Sequence, residues 1–380
     1  MSRPTILVAG GGTGGHVFPA VAVAEAMQLL ADVDVVFCGT ARGVEARVVP
    51  ARGWALELLD VEPMKGGGPA RAIRGALVAA RATGRAFGLV RRLRPGAVLS
   101  VGGYASGPVT LAAALLGVPV AVLEPNSVVG LANRLLAPFA RRAYVAWDEA
   151  GAKFRARARR SFGVPLRAGF VPRPGATRGT ARVLVMGGSQ GAAALNERMP
   201  EVVARLAHVP GLDVLHQAGR DRDDPVRAAY SRAKVERVKV VPFVDDVAQA
   251  IADADVVVAR AGASTLAELT AIGRAAVLVP FPHAADDHQA RNAEALARAG
   301  GAVCVRQEAA DAARLATELE RLLVDEPART AMAEASRARG KPGAAHDVAA
   351  DLLELAGVAL RPRTRTNGSA RAPRSAQEAT

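Results

Sequence analysis

Two short apolar runs, each leading into a glycine turn, constrain the fold of this chain more than any other feature. They are residues 5–11 (TILVAGG) and residues 182–188 (RVLVMGG). In each run, consecutive aliphatic residues predict a strand buried on both faces, and the glycines predict a tight turn into a helix. The repeat therefore predicts two α/β units of the same design in tandem.

Similar apolar runs recur along the chain, and most are separated by Ala-, Leu- and Arg-rich stretches with helical spacing. Such alternation is typical of doubly wound parallel sheets with helices on both faces. A length of 380 residues fits two domains. We predict domains over residues 1–162 and 163–340, a helix within 341–358 that packs back on the first domain, and a disordered basic tail over 361–380.

The composition argues against several classes of protein. Cys38 and Cys304 lie far apart, and the six histidines show no paired spacing, so neither a disulfide scaffold nor a metal site is expected. A Gly-Val-Pro turn interrupts the longest apolar stretch, residues 109–123. We therefore expect no membrane-spanning helix, and the short first apolar run predicts no secretory signal.

The formal charge of +13 is concentrated in three segments. Residues 65–94 and 134–173 each carry +8, and residues 361–380 carry +4. A polyanion, either anionic lipid or nucleic acid, is the natural partner of such segments. Nucleic acid is the weaker hypothesis, because only 4% of the residues are aromatic and no RNA-binding motif occurs.

Residues 70–94 interleave arginines with apolar residues. This pattern predicts either a helix that lies on an anionic membrane surface or a packed helix with a solvated basic face. The apolar residues concerned are Ile73, Leu77, Phe87, Leu89 and Val90.

The first glycine turn continues as residues 10–16 (GGGTGGH). Glycines let the backbone approach a ligand closely, and the following helix directs its amides and its dipole at an anion. A dinucleotide site would also need an acid at the end of the second strand, but that strand ends Phe-Cys-Gly-Thr at Thr40. A Walker A loop would need lysine where His16 stands. We therefore expect neither site.

Three further glycine-containing loops follow predicted strands. They are residues 102–108 (GGYASGP), 187–191 (GGSQG) and 260–265 (RAGAST). The last opens a helix that carries Glu268. A carboxylate one turn into a ligand-facing helix can accept hydrogen bonds from both hydroxyls of a ribose, although a solvated helix residue would need no such role.

Taken in order, these loops closely resemble those of glycosyltransferase family 28, specifically the bacterial enzymes that add N-acetylglucosamine to a lipid-linked muramyl-peptide. The resemblance covers nearly all of residues 5–357. It rests on six segments in the same order: residues 11–20 (GGTGGHVFPA), 102–108 (GGYASGP), 187–192 (GGSQGA), 243–247 (FVDDV), 260–263 (RAGA) and 288–293 (HQARNA).

The resemblance implies a GT-B fold, in which two Rossmann-like, doubly wound domains face a cleft. It implies a hexosyltransferase of peptidoglycan synthesis, with UDP-N-acetylglucosamine as donor and an undecaprenyl-linked muramyl-pentapeptide as acceptor. It further implies a peripheral location on the cytoplasmic face of the inner membrane, contact with cell-wall synthesis proteins, and roles in cell shape and division. Because the acceptor of the family carries a polyprenyl anchor, we expect residues 70–94 to form the membrane-surface helix rather than the packed one. The alternative is another GT-B enzyme, such as a diacylglycerol glycosyltransferase or a UDP-N-acetylglucosamine 2-epimerase.

The resemblance also implies roles for individual residues. Glu268 would hold the ribose, Gln289 would recognise sugar hydroxyls with His288 beside it, and Val244 would face uracil through its backbone. The other donor-binding residues would be Thr13, Gly14, Gly15, Asn126, Arg167, Ser189, Ala263, Ser264 and Thr265. The acceptor side would include Gly102, Gly103, Tyr104 and Glu124.

For the chemistry we expect no metal and no cofactor. The two Asp-x-Asp pairs, Asp32/Asp34 and Asp253/Asp255, begin predicted strands, whereas ligands bind outside the carboxyl ends. Helix N-termini, Ser189 and a basic side chain would then stabilise the leaving diphosphate. The muramyl C4 hydroxyl would attack directly with inversion, and His16 is the first candidate for its general base, because a neutral imidazole accepts a proton near pH 7. The alternative role of His16 is a hydrogen bond to the acceptor pyrophosphate or to the donor sugar.

Overall fold

The computed structural model describes residues 3–61, 69–173, 181–188 and 191–362, and for residues 69–80 it describes the backbone only. It contains two separate parallel sheets, which confirms the prediction of two doubly wound units.

The first sheet has seven parallel strands in the order β3-β2-β1-β4-β5-β6-β7. Its strands are β1 (Thr5–Gly10), β2 (Asp34–Gly39), β3 (Ala55–Leu58), β4 (Ala97–Gly102), β5 (Val120–Glu124), β6 (Arg142–Val145) and β7 (Arg159–Arg160). The helices of this part are α1 (Gly14–Leu30), α2 (Glu45–Val48), α3 (Pro69–Leu93), α4 (Ser106–Leu115), α5 (Leu131–Leu136) and α6 (Asp148–Gly151).

The second sheet has six parallel strands in the order β10-β9-β8-β11-β12-β13. Its strands are β8 (Ala181–Met186), β9 (Leu212–Gln217), β10 (Val238–Val241), β11 (Val256–Ala259), β12 (Ala275–Leu278) and β13 (Val303–Cys304). The remaining helices are α7 (Ala193–Arg205), α8 (Asp223–Arg232), α9 (Val247–Asp253), α10 (Ala263–Ile272), α11 (His288–Arg298), α12 (Ala312–Val324), α13 (Glu326–Ala338) and α14 (Ala344–Leu355).

Strand β1 shows why its sequence is apolar at consecutive positions. Ile6 and Val8 belong to one hydrophobic core, whereas Leu7 and Ala9 belong to a second core on the opposite face of the sheet. Because successive side chains of a strand point to opposite faces, a strand covered by helices on both sides must be apolar throughout.

Each sheet has a switch point, where chain connections leave in opposite directions. In the first sheet it lies between β1 and β4, and in the second between β8 and β11. Ligands of open α/β sheets bind at the carboxyl edge of such a point. All four glycine-containing loops singled out in the sequence follow these four strands.

Helix α14 lies after the second sheet in sequence but packs against α1 of the first. Val348 and Leu352 are fully buried in the core that contains Ile6. The Asp351 carboxylate accepts hydrogen bonds from Arg142 Nε at 2.9 Å, Tyr144 Oη at 2.9 Å and Arg160 Nε at 3.2 Å. The last helix is therefore anchored to the first domain by apolar contacts and by charge.

Part of the prediction for residues 70–94 is wrong. Leu89 and Val90 of α3 are buried in the core that contains Leu7, and Phe87 packs against that core. These apolar residues are thus unavailable to a membrane, and the packed-helix alternative holds there. The side chains of Ile73 and Leu77 lie outside the described residues, as does the predicted tail from residue 363 onward.

The aspartate pairs lie at the amino ends of strands. Asp34 begins β2, and Asp32, two residues earlier, pairs with Arg3 at 3.0 Å. Asp255 directly precedes β11 and accepts a hydrogen bond from the backbone N–H of Arg182 at 2.8 Å.

Within the described ranges, no helix combines the length and hydropathy needed to cross a bilayer.

Candidate active site

The two glycine loops of the first domain pack backbone to backbone. Gly11 N–H donates to the carbonyl of Gly102 at 3.1 Å. Gly103 has a φ of +87°, and a Cβ on it would lie 2.4 Å from the carbonyl oxygen of Gly11. A side chain at residue 103 would therefore force the two loops apart.

Beneath the first loop lies Glu45, a residue to which the sequence analysis gave no role. Its side chain is almost fully buried, at 1% exposure. The carboxylate accepts hydrogen bonds from Gly12 N–H at 2.7 Å, Thr40 N–H at 2.9 Å and Thr40 Oγ1 at 3.0 Å. An acid that follows the second strand is expected at the end of β2, whereas this acid lies five residues beyond Thr40, in α2.

His16 lies in the first turn of α1. Its Nδ1 is 3.1 Å from the carbonyl oxygen of Gly11 and 3.4 Å from Thr13 Oγ1. The carbonyl can only accept, so Nδ1 carries a proton, and in the neutral ring Nε2 is unprotonated. Nε2 has no hydrogen-bond partner among the residues that the structure describes.

Burial lowers the pKa of His16, although the Gly11 carbonyl and the carboxylates of Glu124 and Glu45 act in the opposite direction. The charge of His288, from the second domain, lowers this pKa further. A neutral ring with a free Nε2 has the form that a general base requires.

Glu124, at the end of β5, is 2% exposed and organises the loop that follows it. Its carboxylate accepts hydrogen bonds from Asn126 N–H at 3.1 Å, Asn126 Nδ2 at 3.3 Å, Gly130 N–H at 2.9 Å and Asn133 Nδ2 at 3.0 Å. The structure thus directs this acid into its own loop, where it fixes the amide of Asn126.

In the second domain, two polar groups on α10 lack partners. The partly buried carboxylate of Glu268 has no hydrogen bond or ion pair among the described residues, and burial raises its pKa to about 7 against the lowering effect of Arg167. Ser264 Oγ is buried and also unpaired within the described part of the chain. Because buried polar groups are nearly always paired, this face of α10 is suited to a polar ligand.

Ala263, Ser264 and Thr265 form the first turn of α10. The first N–H groups of a helix have no partner within it, and the helix dipole places partial positive charge there. This end of α10 can therefore bind an anion beside the unpaired groups.

Several contacts join the two domains across one cleft. The Arg167 guanidinium lies 5.3 Å from the centre of the Phe18 ring, a cation–π contact with α1. Asn292, fully buried in α11, accepts a hydrogen bond from Ser127 N–H at 3.0 Å. Asn292 belongs to the segment 288–293 (HQARNA), but no local pattern predicts its contact with the other domain.

The start of α11 also faces the cleft. Gln289 Oε1 accepts a hydrogen bond from Phe281 N–H at 3.0 Å, which leaves the amide nitrogen as a donor. His288 Nδ1 lies 2.7 Å from the carbonyl oxygen of Ala285. Asp286 and Asp287 both have left-handed backbone angles, with φ of 52° and 53°. Such angles are unfavourable for residues other than glycine, so surrounding contacts must hold this turn.

The remaining predicted residues are placed as follows. Tyr104 is 52% exposed, and Val244 is 9% exposed in the loop between β10 and α9. Gly14 and Gly15 begin α1, and Gly102 lies against the His16 ring. Ser189 lies outside the described residues.

Within the described ranges, no group of three or more His, Cys, Asp or Glu side chains could hold a metal ion.

Comparison with known proteins matches both halves of the chain to one family. Residues 6–145 match the glycosyltransferase family 28 N-terminal domain, and residues 182–348 match its C-terminal domain. A protein of Sorangium cellulosum is 54% identical over 358 residues, which cover 93% of this chain and 88% of that protein. It is named UDP-N-acetylglucosamine–N-acetylmuramyl-(pentapeptide) pyrophosphoryl-undecaprenol N-acetylglucosamine transferase.

A comparison with solved structures leads to the same family and fold. The crystal structure of MurG from Acinetobacter baumannii superposes with a TM-score of 0.78 at 32% identity, over 92% of this chain and 99% of that one. A UDP-N-acetylglucosamine 2-epimerase gives a TM-score of 0.63 at 14% identity, over 94% and 97% of the two chains, and shares the fold alone. The predicted GT-B architecture is thereby confirmed.

Proposed function

Because the chain belongs to glycosyltransferase family 28, we propose that it transfers N-acetylglucosamine from UDP-N-acetylglucosamine to undecaprenyl-pyrophosphoryl-N-acetylmuramyl-pentapeptide, a step of peptidoglycan synthesis. This is the activity stated in the names of relatives that match it over most of its length. The structural observation that carries the proposal is the interdomain cleft. Among the described residues, His16 Nε2 on one side and the Ser264 and Glu268 side chains on the other have no hydrogen-bond partner.

The donor is assigned mainly to the second domain, with Thr13, Gly14, Gly15 and Asn126 of the first domain reaching it across the cleft. Glu268 would accept hydrogen bonds from the ribose hydroxyls, and the backbone of Val244 would face uracil. The first turn of α10, with the unpaired Ser264 hydroxyl, would contact the diphosphate together with Ser189. Arg167 lies over the Phe18 ring of α1 and acts electrostatically on Glu268, so its charge can stabilise the leaving UDP.

The acceptor is assigned to the first domain, beside His16 and the loop that begins Gly102-Gly103-Tyr104. The muramyl C4 oxygen would attack the anomeric carbon as the bond to the diphosphate oxygen breaks, with inversion. The hydroxyl proton passes to His16 Nε2, and UDP leaves as the anion. Backbone amides and a guanidinium carry the developing charge in this scheme, which needs no metal.

Peripheral attachment to the cytoplasmic face of the membrane is also proposed, through a surface different from the one that the sequence suggested. Leu131 and Leu135 are 64% and 66% exposed, and Phe139 just beyond α5 is 45% exposed. Residues four apart share one face of a helix. The exposed Arg141 lies two residues further on, so apolar and basic groups combine at this end of α5. Cell-wall synthesis proteins remain proposed partners.

The test is transfer of labelled N-acetylglucosamine to a short-chain lipid-linked muramyl-peptide, with a chelator present throughout. We expect product from the wild-type protein and a rate roughly 10²–10⁴-fold lower for His16→Ala, because a general base contributes about that factor. Turnover of His16→Ala within a few-fold of wild type would exclude His16 as the base. An altered sugar formed from donor alone would instead indicate an epimerase.

A further inference from the structure

One peptide unit of the first glycine loop connects two side chains that are far apart in sequence. It joins Gly11 to Gly12. Its carbonyl oxygen, on Gly11, accepts from His16 Nδ1 at 3.1 Å. Its N–H, on Gly12, donates to Glu45 Oε2 at 2.7 Å. A buried acid and the candidate base thus contact the two ends of the same amide.

The acid is held in a close-fitting socket. Besides its bond to Gly12, Glu45 accepts both the N–H and the hydroxyl of Thr40. A Cβ on Gly11 would lie 2.4 Å from the Glu45 carboxyl carbon, and a Cβ on Gly43 would lie 2.1 Å from one of its oxygens. The carboxylate thus lies directly against the backbone of both glycines, which limits its freedom to move.

Hydrogen bonds in a chain polarise one another. A carboxylate at the N–H end of an amide increases the negative charge on its carbonyl oxygen. The Gly11 carbonyl then holds the Nδ1 proton of His16 more strongly, which fixes the tautomer with a free Nε2. In serine proteases a carboxylate bonded directly to the histidine has this function. Here one peptide unit stands between the two groups.

We propose that Glu45 is the positioning residue for His16, acting through the Gly11–Gly12 peptide unit to orient the imidazole and fix its tautomer. This inference rests on the proposed role of His16 as general base. The same arrangement leaves other N–H groups of the loop available to an anion. Glu45 occupies the N–H of Gly12, whereas the N–H groups of Gly14 and Gly15, at the start of α1, have no helical partner.

The charged and titratable groups that face His16 come from three elements. Glu45 comes from α2, Glu124 from the end of β5, and His288 from the start of α11. The first two raise the pKa of His16 and the third lowers it. Removing the charge of Glu45 alone should therefore lower this pKa, while Glu124 and His288 are unchanged.

The first test is the tautomer in the wild-type protein. Nitrogen-15 NMR of labelled histidine, with His16 assigned by the loss of its signals in His16→Gln, should show a protonated Nδ1 and an unprotonated Nε2 at neutral pH. The opposite tautomer would overturn the proposal. This measurement needs neither activity nor a Glu45 variant that folds.

The second test is Glu45→Gln, which retains the shape and removes the charge. We expect kcat to fall roughly 10–100-fold, as for other groups that orient a reacting side chain. The pKa of His16 measured by NMR, and with it the acid limb of the pH–rate profile, should move to lower pH. Affinity for UDP should stay within about twofold, because the groups proposed to hold its ribose and uracil, Glu268 and Val244, lie in the other domain.

The matched control is Asp351→Asn, which alters a partly buried carboxylate, packed on the same domain, that also has three hydrogen-bond donors. It should lower the melting temperature but leave the pKa of His16 and the pH–rate profile unchanged. A Glu45→Gln protein with wild-type kcat and an unshifted His16 would refute the inference. If the wild-type protein transfers no sugar, the proposed function fails, yet the NMR results still decide whether Glu45 acts on His16 through the peptide unit.

Discussion

At the residue scale, the site is defined by polar groups that the fold leaves unpaired. Ser264 Oγ and the Glu268 carboxylate have no partner in the described part of the chain, whereas Glu45 and Glu124 are saturated with donors. Glu268 lies on one side of the cleft, and Glu45 and Glu124 lie on the other. Unpaired groups are available to a ligand, and saturated ones hold loops in place.

The raised pKa of Glu268, about 7, predicts how donor binding depends on pH. A carboxylate accepts from two ribose hydroxyls better than a carboxylic acid does, so binding favours the ionised form. For a pKa of about 7, the ionised fraction of Glu268 rises roughly tenfold between pH 6 and pH 8. UDP-N-acetylglucosamine should therefore bind roughly tenfold more tightly at pH 8 than at pH 6. Calorimetry across this range would measure it.

Glu268→Gln should abolish this pH dependence and weaken binding by about 1–3 kcal/mol through loss of charge-assisted hydrogen bonds. Glu294→Gln is the control, because Glu294 is an acid of the same domain that pairs with Arg306 at the surface. A slope that persists in Glu268→Gln would assign the titrating group elsewhere.

At the element scale, the loops after β1 and β4 form one unit. Their backbones are in direct contact, and left-handed angles at Gly102 and Gly103 bring the second loop onto the first. The two loops therefore act together, because the backbone of each loop limits the positions open to the other.

Gly103→Ala tests this packing. The new methyl group would meet the Gly11 carbonyl at 2.4 Å in a backbone conformation unfavourable for alanine. Displacing Gly11 should also displace His16, so we expect kcat to fall at least about tenfold, consistent with the sensitivity of catalysis to small misplacements. UDP affinity should be preserved, and steady-state kinetics with a separate binding assay would distinguish the two.

Gly84→Ala is the matched control, because nothing lies within 4 Å of a Cβ at that position in α3. Alanine is favoured over glycine inside a helix by about 1 kcal/mol, so this variant should be as active as wild type and no less stable. Equal activity of both variants would mean that close packing of the two loops is not needed for turnover.

At the scale of the whole molecule, exposed apolar side chains and positively charged residues lie close together on the first domain. Leu135 lies at the beginning of the segment with a net charge of +8, residues 134–173, and Leu131 lies three residues before that segment. The acceptor is assigned to this same domain. A surface that contacts lipid here would bring the cleft to a lipid-linked substrate.

The double variant Leu131→Ser, Leu135→Ser should bind less to anionic vesicles in a sedimentation assay. Burying a leucine contributes about 1.5–3 kcal/mol, so the bound fraction should fall severalfold or more, and high salt should reduce it further. Leu29→Ser is the control, since Leu29 is an exposed leucine of the same domain on α1. Equal loss for both proteins would show that this surface is not specific.

The sequence by itself determined the two doubly wound units, the strands buried on both faces and the glycine loops at their carboxyl ends. These follow from local rules, because the period of a strand and the backbone freedom of glycine depend on neighbours in the chain. The position of Glu268 beyond its loop follows from the same rules, together with the family resemblance.

Only the tertiary structure decided which side chains meet. Glu45 binds a peptide 33 residues away, and Asn292 binds the N–H of Ser127, 165 residues away. Leu89 and Val90 have the interleaved pattern of a surface helix, yet they are buried because α3 packs on the first sheet. Such contacts depend on how the strands are ordered and how the domains face each other, and no local pattern encodes either.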